Sequence, residues 1–90
     1  MQFQQGKFEE GMQIARETVE PAVQQQSGLK SYLALADSNT GKAMLVSVFE
    51  AEADAKAGVS SGFVREQTAK IAPLLAGAPV TEFYEVVTQG

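Results

Sequence analysis

Between Gly28 and Glu50 the apolar residues fall into two runs, Leu29 to Ala36 and Ala43 to Phe49, separated by Asp37-Ser38-Asn39-Thr40-Gly41. Small polar side chains that hydrogen-bond their own backbone, followed by a glycine free to take positive φ, make the separator a turn and the two runs a β-hairpin. A period of two puts Leu29, Leu33 and Leu35 on one face of the first run and Tyr32, Ala34 and Ala36 on the other. In the second run Leu45 and Phe49 oppose Met44, Val46 and Val48. A sheet wetted on one side alternates apolar with polar residues, whereas here both faces are apolar. The hairpin therefore asks for cover on both sides.

On either side of the hairpin the period changes. Phe8, Met12, Ala15, Val19 and Val23 recur at helical spacing, with Glu9, Glu10, Gln13, Glu17 and Glu20 elsewhere on the turn. Pro21 lies inside this stretch, where it removes a hydrogen bond at about 3 kcal/mol and predicts a bend. Gly28 is a natural left-handed stop. Ahead of the helix, Met1 to Gln5 is extended in character around Phe3 and predicts a short first strand, with Gly6 as the turn. After the hairpin, Ala51 to Ala57 predicts a short helix, with Glu52 four residues before Lys56. Gly58 to Gly62 interrupts it. Phe63, Gln67, Ile71 and Leu74 then mark a further helical face with Glu66 four before Lys70, and Pro73 closes it. Ala76 to Pro79 is a loop, and Val80 to Val87 predicts a last strand, rich in β-branched and aromatic residues.

The order strand, helix, strand, strand, helix, strand is an α+β, ferredoxin-like arrangement with an antiparallel sheet and both helices on one face. Residues 1–90 form a single domain without internal repeats. The second apolar face then calls for another sheet, and a second copy supplies one: two four-stranded sheets meeting face to face make a dimeric α+β barrel. Each strand side chain so covered contributes on the order of 1.5 to 3 kcal/mol.

Composition narrows the functional classes. With 90 residues and 44% hydrophobic content, the chain suits one small domain. Such a domain buries only about 60 to 65% of its unfolded surface, so a partner helps. A net charge of −4 leaves no basic stripe for nucleic-acid phosphates or an anionic membrane. Cysteine is absent, and Met1-Gln-Phe-Gln-Gln-Gly6 lacks the charged and apolar parts of a signal peptide; the expected location is the cytoplasm. No apolar run approaches the length of a spanning helix.

Motifs for chemistry are few. Gly58-Val59-Ser60-Ser61-Gly62 fits the letters G-x-S-x-G, but a chain without histidine has no base to take the serine proton, so it is read as a helix break in which Ser60 or Ser61 caps the next helix. No metal is expected. Glu50, Glu52 and Asp54 are the densest acidic group, and helical spacing splays Glu50 from Glu52. Gly6-Lys7 and Gly41-Lys42 lack the pattern of a phosphate loop. The aromatic residues Phe3, Tyr32, Phe49, Phe63, Phe83 and Tyr84 are mostly core, yet a pocket between helices and sheet could hold a flat aromatic ligand, oriented by a tyrosine hydroxyl or Asn39.

Gly6-Lys-Phe-Glu-Glu10 opening a helix, Gln25-Gln-Ser-Gly-Leu29 before the hairpin, Val46-Ser-Val-Phe-Glu50 with an Ala-rich acidic helix after it, and Ala72-Pro-Leu-Leu75 before Phe83-Tyr-Glu-Val86 together resemble the antibiotic biosynthesis monooxygenase domains of the dimeric α+β barrel superfamily. The resemblance spans almost the whole chain and is made of many weak signals. It implies a homodimer and, if the chain is an enzyme, cofactor-independent monooxygenation of a quinol or other electron-rich aromatic bound between sheet and helices. Such a reaction needs the substrate's anion to be favoured, which asks for a cation or polar donor at the pocket. The expected substrate-binding residues are Tyr32, Phe49, Phe63 and Arg65, with Arg65 or Tyr32 as the donor. Phe49 stands where members often have Trp, Ala51 where they have Ser, and no histidine is present to serve as the haem ligand of the haem-degrading members. The first strand is shorter than the family's, either abbreviated or lacking its beginning. The alternative function is a non-catalytic small-molecule-binding, stress-response or assembly module.

Overall fold

The computed structural model describes residues 1–89, which form an α+β fold around a two-stranded antiparallel sheet. The elements are α1 (Phe8–Ile14), a π-helical turn (Ala15–Val19), α2 (Glu20–Val23), β1 (Leu29–Asp37), β2 (Lys42–Phe49), α3 (Glu52–Ser60), α4 (Phe63–Ile71) and a 3-10 turn (Ala72–Leu74). α1, the π turn and α2 run on from one another, so the expected first helix is present as a single rod in three pieces. The wide π turn ends just before Pro21, which sits in the first turn of α2. A proline ring crowds the carbonyl four residues back and donates no bond to it, and a π bulge is one of the ways a helix absorbs that.

β1 and β2 pair from Asp37↔Lys42 to Leu29↔Phe49, with one irregularity between Leu29 and Ser31. Their connection is the expected turn: Asp37 Oδ1 accepts from the Asn39 N–H at 2.9 Å, the Gly41 N–H donates to Asp37 O at 2.8 Å, and Gly41 has φ of 75°. The helices cover the face that carries Tyr32, Ala43 and Leu45. On this side the Tyr32 hydroxyl bonds to Glu20 and Gln24, and Ala43 packs against the core of Phe3, Ile71, Leu74 and Leu75. The opposite face leaves Leu33, Leu35, Met44 and Val46 exposed, in the cross-strand pairs Leu33↔Val46 and Leu35↔Met44.

Two of the four expected strands are not formed among the described residues. The first shrinks to isolated bridges, Gln2↔Lys42 and Phe3↔Leu75. Met1 to Gln4 lies between the start of β2 and Leu74 to Ala76, held by Ala43 N–H to Met1 O at 2.9 Å and Ala76 N–H to Gln2 O at 2.8 Å. The last, Val80 to Val87, has no ladder partner. Leu75 is bridged to Phe3 and the Ala76 N–H donates to Gln2 O, and no later residue makes a backbone hydrogen bond among the described residues. Strand propensity without a neighbour does not make a strand. The accessible surface is 6376 Å², against about 5,100 Å² for a folded monomer of this mass.

Candidate ligand cavity

A cavity of about 610 Å³ opens between β2, the helices and the segment after Pro79. Its floor is Leu45, Ser47 and Phe49 of β2. Val19 and Val23 close one side, and Val59, Phe63, Val64 and Ile71 of α3 and α4 close another. The face that α4 turns inward carries, besides Thr68, one amide, Gln67. Its Oε1 accepts from the Lys70 ammonium at 2.8 Å, and the same ammonium donates to Thr18 O at 3.2 Å. The Gln67 carbonyl is thus occupied, while its NH₂ is left as a donor for a ligand oxygen. Ser47 and Thr68 add hydroxyls to the lining. Glu66, expected to pair with Lys70, makes no ion pair among the described residues; Lys70 is engaged by Gln67 and Thr18 instead.

Two of the four expected site residues, Phe49 and Phe63, line this cavity together. Tyr32 and Arg65 do not. The Tyr32 hydroxyl lies between strand and helix, accepting from Gln24 Nε2 at 2.7 Å and donating to Glu20 Oε1 at 3.3 Å. Arg65 is exposed on α4, and Asn39 sits in the hairpin turn, away from the cavity. Sequence reading did not single out Gln67, Ser47 or Thr68 as site residues, although a glutamine on the apolar stripe Phe63, Ile71, Leu74 carries the signal.

The serine-rich break behaves as a helix junction. The Ser60 hydroxyl donates to Ala57 O at 3.4 Å, and Ser61 Oγ accepts from the Phe63 N–H at 3.4 Å ahead of α4. Of the acidic group, Glu52 is paired with Lys56 at 2.6 Å, and the Asp54 carboxylate lies against Gly28, whose φ of 79° and close neighbour both exclude a side chain. The described residues contain no cluster of three metal-ligating side chains and no buried charged group. Compared with family models, curated proteins and solved structures, the chain matches none.

Proposed function

We propose that the chain is a homodimeric domain of the ferredoxin-like, dimeric α+β barrel kind that binds a flat, largely apolar small molecule in the cavity between β2 and the helices. The observation that carries this is the cavity itself. Its size of about 610 Å³ lies within the roughly 300–1,000 Å³ of small-molecule sites, and its walls are mostly apolar, with a Gln67 amide donor and with Gln26, Lys42 and Glu82 also in the lining. An aromatic with a phenolic oxygen suits that lining: the ring lies against Phe49, Phe63 and Val64, and the oxygen accepts from Gln67. Cofactor-independent oxygenation of a quinol is the activity to test. Binding without turnover is the second reading, favoured by the absence of a buried charge among the described residues to hold a substrate anion.

Titration calorimetry with a panel of hydroquinones, followed by oxygen-uptake assays, tests both. Binding should weaken about tenfold in Gln67→Leu, the loss of one hydrogen bond, and should vanish in Val64→Trp, which fills the cavity. Unchanged affinity in Val64→Trp, with circular dichroism preserved, would remove the cavity as the site. Oxygen uptake that needs no added metal or flavin would establish catalysis.

A further inference from the structure

Gln67 is half-buried in the cavity wall, and Lys70, one turn further along α4, is exposed. The Lys70 ammonium donates to Gln67 Oε1 at 2.8 Å and to Thr18 O at 3.2 Å, so it is held from two elements, its own helix and the π turn. An ammonium carries N–H donors and no acceptor. Only the carbonyl end of the glutamine can face it, and the N–H end is left for the cavity. An amide without such a neighbour can turn over and offer either end. Gln26 is the contrasting case on the same wall: its Nε2 lies beside Gly58, and its side chain has no hydrogen-bond partner among the described residues. The Ser47 and Thr68 hydroxyls donate or accept as a ligand requires, and the charged lining residues Lys42 and Glu82 are of opposite sign.

We infer that Lys70 is a positioning residue for the ligand: by holding the Gln67 carbonyl it fixes the amide as a donor, and the cavity thereby selects ligands that present a hydrogen-bond acceptor, such as an aryl ketone, over those that present only a donor. A ligand N–H set against the Gln67 N–H leaves both donors unsatisfied, whereas a ligand oxygen satisfies the amide. The lysine charge works in the same direction, because an amide whose oxygen accepts from a cation is polarised and donates more strongly. Lys70 does this without touching the ligand. It also ties α4 to the π turn through Thr18 O, and a purely structural role of that tie predicts that every ligand weakens equally when it is cut. The inference rests on the cavity reading above.

NMR titration of the full chain with 1-indanone and with indole tests it. Both probes are flat bicyclic molecules of similar size; the first has a carbonyl and no N–H or O–H, the second an N–H and no carbonyl. Gln67→Leu gives the ratio of affinities that the apolar walls and the other polar groups set by themselves. The expected result is that the parent prefers 1-indanone about tenfold more than Gln67→Leu does. Lys70→Met should bring the ratio down to that of Gln67→Leu, and Lys70→Arg, which is also donor-only, should keep the parent ratio. Combining Gln67→Leu with Lys70→Met should change the ratio no further. Lys70→Gln, whose side chain can face the Gln67 amide in either sense, is the second variant should Lys70→Met fail to fold. Both probes weakened in proportion, with the ratio unmoved, would overturn the inference and leave Lys70 a brace between α4 and the π turn. A ratio that falls on Lys70→Met even in the Gln67→Leu background would overturn it as well, assigning the effect to the lysine charge. Binding of neither probe, or binding unaffected by Val64→Trp with the fold preserved, would overturn the cavity reading and the inference with it.

Discussion

At the scale of single residues, the tightest constraint is the approach of Phe3 to Gly11. Phe3 is 3% exposed and meets the Phe8 ring edge-on at a centroid distance of 6.1 Å. A Cβ added to Gly11 would overlap the Phe3 ring. Alanine in place of a helical glycine gains about 1 kcal/mol in propensity, but forcing atoms into a packed core costs about 1–3 kcal/mol. Gly11→Ala should therefore destabilise the domain by up to about 2 kcal/mol, read by urea denaturation. Because Phe3 anchors Met1 to Gln4 beside β2, the same substitution should speed amide exchange at Ala43. A stability equal to the parent's would mean that Phe3 can move aside at no cost. Gly58 is the contrasting case: its added Cβ would meet the end of the Gln26 side chain at 3.0 Å, a neighbour that can shift, and Val64 at an ordinary contact distance of 3.9 Å.

At the scale of elements, what could be read from the sequence divides by how local its cause is. The hairpin, its turn and the helix breaks at Gly28 and Gly62 are set by residues within a few positions, and all three are present, with φ of 79° and 88° at the two glycines. Phe49 and Phe63 line one cavity; period two groups Phe49 with Leu45 and helical spacing groups Phe63 with Ile71, but neither spacing says which sheet face the helices cover. Tyr32 was legible as sharing a face with Ala34 and Ala36, but neither that this face lies under the helices nor its engagement by Glu20 and Gln24 was, since both depend on how α2 lies across the sheet. Val80–Val87 shows the limit: its composition states a preference, and the missing neighbour decides the outcome. Charge pairs divide the same way. Glu52 and Lys56 pair one turn apart, and the Lys56 hydrogen bond and charge hold the Glu52 carboxyl below its usual value. With the folded value depressed, the stabilisation is present above the ordinary carboxylate value and is lost as pH falls through the folded one. Glu52→Gln should lower stability slightly at neutral pH, with the difference disappearing at acid pH and in 1 M salt. A difference that persisted in acid would point to packing rather than charge.

At the scale of the whole molecule, the accessible surface is large for the mass of the chain. It exceeds the area expected for its mass by about 1,300 Å², and a standard interface buries about 800 Å² per partner. The excess has an identifiable location: Leu33, Leu35, Met44 and Val46 on the uncovered sheet face, together with the exposed apolar residues of Val80–Val87. A covered sheet face would draw on this surface, and substitution tests it. Leu33 and Met44 are 62% and 58% exposed, so charges placed there are tolerated by the isolated chain but oppose a self-complementary contact in which they face each other. Leu33→Glu with Met44→Glu should weaken dimerisation at least about a hundredfold while leaving the circular dichroism of the monomer unchanged. Sedimentation equilibrium reads the first and a far-ultraviolet spectrum the second. If the double variant still dimerises as the parent does, the outer face is not the interface. If dimerisation is lost, the sheet face is the primary contact.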